Sequence, residues 1–170
     1  MRFELAFAIL LLGIPTQAHA ALSVGDPVPP FTAEAVENGS TKQVELTALL
    51  EAGPVVLYFF PSAFTEDAET REFAANMDKF RAAGVTVLGM SRDSIASLTP
   101  LSTGAAKGRF ALASADEALV NAFDVNDGAM FNTRTTYVIA PSGEIAFVHN
   151  DEEARNHVKN ALLFVESLKK

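Results

Sequence analysis

The segment Val55-Val56-Leu57-Tyr58-Phe59-Phe60 runs without a charge between Pro54 and Pro61. Neighbouring residues of a strand point to opposite faces, so a strand made wholly of β-branched, aliphatic and aromatic residues has to be covered on both sides. Such a strand belongs inside a sheet with helices above and below it. The period then changes. Phe73, Met77 and Phe80 recur at four and three residues, the spacing of one helix face, with Thr65 placed to cap the start and Gly84 to end it. Val85 to Ser91 is a second buried strand, and the strand-helix-strand order implies parallel pairing through a crossover.

The rest of the chain fills out a mixed sheet. Ala21 to Thr41, punctuated by Gly25, Pro27, Pro29, Pro30, Asn38 and Gly39, reads as an extended lead-in with one short strand. Ser94 to Gly104 reads as a helix interrupted by Pro100, Phe110-Ala111-Leu112 as a short edge strand, and Glu117 to Phe123 as a short helix turning Leu119, Val120 and Phe123 inward. Thr135 to Ile139 and Glu144 to Val148, joined by Ala140-Pro141-Ser142-Gly143, form an antiparallel hairpin. A last helix, Glu152 to Leu168, carries Val158, Ala161, Leu162, Val165 and Leu168 as one apolar stripe. Element order alone leaves several α/β folds open.

With 170 residues, 49% hydrophobic and 20% charged, the chain suits one domain with a true core. Its 13 Lys+Arg stand against 21 Asp+Glu, a net charge of −8, which argues against nucleic acid or an anionic membrane surface as a partner. Arg2, the apolar run Leu5 to Ile14 and the small-x-small sequence Ala18-His19-Ala20 read as a secretory signal peptide over residues 1–20, leaving a mature domain of residues 21–170. That predicts a periplasmic or secreted protein with no membrane span after cleavage. The alternative is an uncleaved anchor, although the run is shorter than the ~20 residues a spanning helix needs.

There is no cysteine, which removes disulfides, thiolate metal sites and cysteine nucleophiles together. That absence matters because Pro61 and Thr65, in Pro61-Ser62-Ala63-Phe64-Thr65-Glu66-Asp67-Ala68, match the Pro and Thr of the pattern PxxxTxxC, and Arg134 precedes a late strand. With Leu22-Ser23-Val24-Gly25-Asp26-Pro27-Val28-Pro29-Pro30-Phe31 at the start, the chain resembles the peroxiredoxins of the alkyl hydroperoxide reductase and thiol-specific antioxidant superfamily, most of all the bacterioferritin-comigratory type. The resemblance implies an α/β, thioredoxin-like three-layer fold with a mixed central sheet flanked by helices. It also implies an antioxidant oxidoreductase site of Pro61, Thr65 and Arg134 around a peroxidatic cysteine, and a thioredoxin-type reductant if the chain is active. Ala68 stands where that cysteine belongs.

In the family the thiolate attacks the peroxide O–O bond, the threonine and helix-terminal N–H groups orient the peroxide, and the arginine stabilises charge. An alanine methyl has no lone pair and no accessible oxidation state, so Ala68 is not competent. Glu66, Asp67 and Glu69 place three carboxylates in the first turn of the following helix, where they suit the helix dipole. Pairing of one of them with Arg134 would put an internal ion pair in the role of the thiolate.

Other chemistry is weaker. His149 and His157 lie eight residues apart, match no compact zinc spacing and read as surface residues; no metal is expected. Ser62, Ser91 and Ser94 lack a Gly-x-Ser-x-Gly elbow and a histidine base, and Gly104-Ala105-Ala106-Lys107-Gly108 is not a phosphate loop, so no cofactor is expected. Tyr58, Phe59, Phe60, Phe64 and Phe131 are sufficiently explained as core, with an apolar cleft bordered by Arg134 as the alternative. The reading is an exported, cysteine-less pseudoenzyme that acts as a binding or accessory protein toward an unidentified protein or small molecule. The alternative is a thiol-dependent peroxidase in which Ala68 is an introduced replacement or another redox group serves.

Overall fold

The computed structural model describes residues 21–65, 67–128 and 130–168, without the Asp67 side chain. In chain order these form β1 (Thr32–Glu37), β2 (Ser40–Glu45), α1 (Leu46–Ala52), β3 (Val55–Phe59), α2 (Asp67–Ala82), β4 (Thr86–Ser91), α3 (Ile95–Gly104), β5 (Ala111–Ser114), α4 (Glu117–Ala122), β6 (Thr135–Ile139), β7 (Ile145–Asn150) and α5 (Ala154–Ser167). The strands make one sheet in the order β2-β1-β5-β4-β3-β6-β7. Strand β3 runs parallel to β4 and antiparallel to β6, and all five of its residues are buried. This is the mixed, helix-covered sheet of a thioredoxin-like α/β fold.

Alternation along β3 builds two cores. Val55, Leu57 and Phe59 face Leu46 and Leu50 of α1 and Val120 of α4, while Val56, Tyr58 and Phe60 face Phe73 and Phe80 of α2, Leu98 of α3 and Val165 of α5. Burying these side chains contributes roughly 1.5–3 kcal/mol each. Tyr58 stacks on Phe73 with ring centroids 4.3 Å apart, and its hydroxyl meets Thr70 Oγ1 at 3.1 Å, so the one polar atom of the ring is satisfied inside the core. Gly84, at φ +70°, ends α2 as expected, with the Val85 N–H returning to the Phe80 carbonyl at 3.0 Å.

Four sequence expectations are corrected. The lead-in holds a full hairpin, β1 and β2, because Asn38 and Gly39 at φ +51° and +77° supply the left-handed pair that a two-residue turn needs. The strand expected at an edge, Phe110 to Leu112, is Ala111–Ser114 and lies inside the sheet between β1 and β4. Pro100 does not interrupt α3: Pro100 and Ala96, one turn earlier, are both exposed, so the carbonyl that loses a partner is on the solvent side. Leu168 drops out of the α5 stripe, 52% exposed, because the helix stops at Ser167. The signal peptide of residues 1–20 lies outside the described residues.

Candidate functional site

After β3 the chain turns through Pro61 to Thr65 before entering α2, and two neighbours fix the turn. The Ala63 N–H donates to Asp93 Oδ2 at 2.8 Å, and that oxygen also takes the Ser91 hydroxyl at 2.7 Å, which ties the loop to the end of β4. Asn132 donates from Nδ2 to the Phe60 carbonyl at 3.5 Å. Thr65 closes the turn, its N–H and hydroxyl both donating to the Ser62 carbonyl at 3.2 and 3.3 Å. Its hydroxyl proton is therefore directed into the loop.

Helix α2 starts at Asp67, so Ala68 is its second residue and is exposed, while Glu69 is 1% exposed. The β3–β6 register, with Phe59 opposite Thr135, puts Arg134 beside the exit of β3. There Arg134 Nη1 donates to Glu69 Oε2, with the two side chains 12% and 0% exposed. A buried carboxylate is tolerable only with such a partner. Of the three carboxylates the sequence offered, Glu69 makes the pairing; Glu66 and the Asp67 side chain lie outside the described groups.

Behind this pair sits His157 of α5, fully buried. This corrects its reading as a surface residue: it sits one residue before Val158 and four before Ala161, on the same apolar face. Its Nε2 lies 2.6 Å from the Asp151 carbonyl and its Nδ1 2.9 Å from Thr136 Oγ1, with Glu69 Oε1 3.9 Å from Nδ1. A carbonyl only accepts, so Nε2 carries the proton and Nδ1 accepts the threonine hydroxyl. Burial, reinforced by the positive field of His149 and Arg134, pushes the imidazole down to about 4 against the opposing pull of the Asp151 carbonyl. His157 is neutral at pH 7. His149 is half-buried, its ring 4.7 Å from that of His157.

Pro61, Thr65, Ala68 and Arg134 thus collect around the loop and the first turn of α2. Among the described residues, the aromatic side chains divide between core and surface. Tyr58, Phe59 and Phe60 are fully buried in the two cores, whereas Phe64 and Phe131 are 89% and 48% exposed. Thr136 and Asn132 are the residues of this cluster that the sequence does not single out; for His157 the signal was the helical period of α5, which places it inward. Chemically, the arrangement holds a neutralised carboxylate and an inert methyl where an anionic nucleophile would stand.

The AhpC/TSA family matches residues 24–148. Peroxiredoxin Q of Sedum lineare, chloroplastic, is 30% identical over 156 residues, covering 88% of this chain and 81% of that protein. Peroxiredoxin Bcp of Xanthomonas campestris is 31% identical over 120 residues, 64% of this chain and 73% of that protein. Peroxiredoxin-2 of Cricetulus griseus reaches 41%, but over 73 residues that span only 36% of its length. Among solved structures, peroxidoxin BcpB from Mycobacterium tuberculosis superposes with a TM-score of 0.76 at 24% identity, covering 86% of this chain and 98% of that one, which shows the fold. The chain belongs to the AhpC/TSA family, the peroxiredoxins, and does so without a single cysteine.

Proposed function

We propose that this chain is an exported peroxiredoxin-like protein that has lost thiol peroxidase chemistry and serves as a binding or accessory protein. The observation that carries the reading is Ala68: its methyl stands at the exposed second residue of α2, where the family pattern has its nucleophile. Reduction of a hydroperoxide needs an electron pair donated to an O–O antibonding orbital, and no thiolate exists anywhere in the chain to donate one. Pro61, Thr65 and Arg134 are the remnant of the site. Arg134 supports the reading further, because its guanidinium is engaged by Glu69 and not left open to a bound anion. Export rests on the apolar run Leu5 to Ile14 with Ala18-His19-Ala20 behind it, and predicts an exported form whose N-terminus is Ala21.

The test is consumption of hydrogen peroxide by residues 21–170 with a dithiol or a thioredoxin-type reductant present. The expected result is no turnover above buffer. Sustained turnover would overturn the reading and require a redox group other than sulfur of cysteine.

A further inference from the structure

Lys42, Arg81 and Arg109 line one cleft of 250 Å³ in a chain whose net charge is −8. The cleft lies at the amino-terminal ends of β4 and β5, where Thr86 and Ala111 begin their strands. The turn that follows β3 leaves the parallel strands from their other end, so this cleft is separate from the surroundings of Ala68 and does not depend on the reading given to them. Val44, Leu49, Met77, Val87 and Phe110 supply the apolar part of its wall.

The cations are arranged unevenly. Lys42 is matched by Glu37 across the hairpin. The other two lining cations share one carboxylate: Arg109 Nη2 contacts Asp78 Oδ1, and Arg81 Nη1 stands 3.9 Å from the same oxygen. Arg81 is itself fixed there by donating from Nη2 to the Arg109 carbonyl at 2.7 Å. One positive charge is left over at this corner. Asp78 is 79% exposed, so its hold on the two arginines is screened by water and weak enough for another oxyanion to compete.

We propose that this cleft binds a small amphipathic carboxylate, its head taken by Arg81 and Arg109 and its hydrocarbon chain laid against the apolar wall. One surplus charge suits a monoanion, and Glu37 in the lining, with Asp78 paired to both arginines, opposes anions of higher charge. Guanidinium donors arranged in a fork match the two oxygens of a carboxylate. The volume falls below the roughly 300–1,000 Å³ of pockets for drug-sized ligands, which limits the guest to a short or medium chain.

The experiment titrates octanoate into residues 21–170 and follows backbone amide shifts by NMR, with octanol and acetate as comparison probes. Octanoate is expected to saturate, moving amides around Arg81 and Arg109, while octanol and acetate each bind about tenfold more weakly or not at all. Arg109→Gln and Arg81→Gln are each expected to weaken octanoate by about fivefold or more. Arg81 is half-exposed on α2, so Arg81→Gln provides the reading if the Arg109 variant does not fold. Absence of saturation, equal binding of octanol, or affinity unchanged in the Arg81 variant would each overturn the proposal.

Discussion

Arg134 and Glu69 meet across sixty-five residues of sequence, and the carboxylate they share between them is completely withdrawn from solvent. One comes from the residue before β6, the other from the first turn of α2, so the pair couples the sheet to the helix that carries Ala68. Desolvating a carboxylate is costly and is offset only by a close cation and hydrogen bonds. The pair therefore acts as a structural joint between the sheet and α2.

Removing the cation should expose that cost. Arg134→Met is expected to lower unfolding stability by roughly 3 kcal/mol, the scale found when one partner of a buried pair is deleted. Adding Glu69→Gln removes the uncompensated charge, so the double variant should recover part of the loss. Denaturant midpoints at pH 7 measure both. Strictly additive losses in this double-mutant cycle would show that the two residues are not coupled.

His157 makes stability depend on pH. Its folded value of about 4 lies below the ordinary 6.5, so between those values the unfolded chain binds the proton that the folded protein refuses. The contribution is fully present above pH 6.5 and is lost as pH falls toward 4, amounting to roughly 3 kcal/mol over the window at 1.36 kcal/mol per unit. Urea midpoints across this range should fall for the native chain, and the slope should flatten in His157→Gln. An unchanged slope in that variant would assign the acid sensitivity to other groups.

What the sequence revealed of this molecule depended on how local the cause was. β3 was legible because an uncharged run between Pro54 and Pro61 has one good use, and the β6–β7 hairpin because Ala140 to Gly143 is turn chemistry. The Asn38-Gly39 hairpin carried an equally local signal, lost among the prolines that precede it. The place of β5 inside the sheet was not local at all: it is fixed by pairing with β1, about seventy-five residues earlier, and by the crossover from β4. The sequence narrows the partner of Arg134 to three acids, and the choice of Glu69 depends on which side of the first turn faces β6. Spacing to His149 points His157 to the surface, whereas its helical phase, one residue before Val158, places it inward.

Gly89 tests the packing behind the site. A methyl added there would lie 2.6 Å from Leu112 Cδ2 and 2.7 Å from Tyr58 Cζ, distances at which something must move. Tyr58 is held by its stack on Phe73 and its contact with Thr70, so it yields poorly. Gly89→Ala is expected to cost about 1–3 kcal/mol through overpacking, with the near-ultraviolet signal of Tyr58 altered. A midpoint within error of the native chain would mean that Leu112 alone absorbs the methyl.

Ala68→Cys asks how much of the family's thiol chemistry the surroundings support. In an active site of this family the thiol is lowered by a nearby cation and by the helix start. Here Arg134 is engaged by Glu69, and Glu66 and Asp67 immediately precede the position, adding negative charge in the sequence around a nascent thiolate. The thiol of Ala68→Cys should therefore titrate at or above its ordinary value of about 8.5, followed by thiolate absorbance against pH, and peroxide should oxidise it no faster than a free thiol. Replacing Glu69 with Gln in the same background frees the guanidinium and should lower the thiol and speed its oxidation. A depressed thiol and rapid peroxide reduction in the single variant would mean that the site is complete in everything but sulfur, and that the Arg134–Glu69 pair does not compete with it.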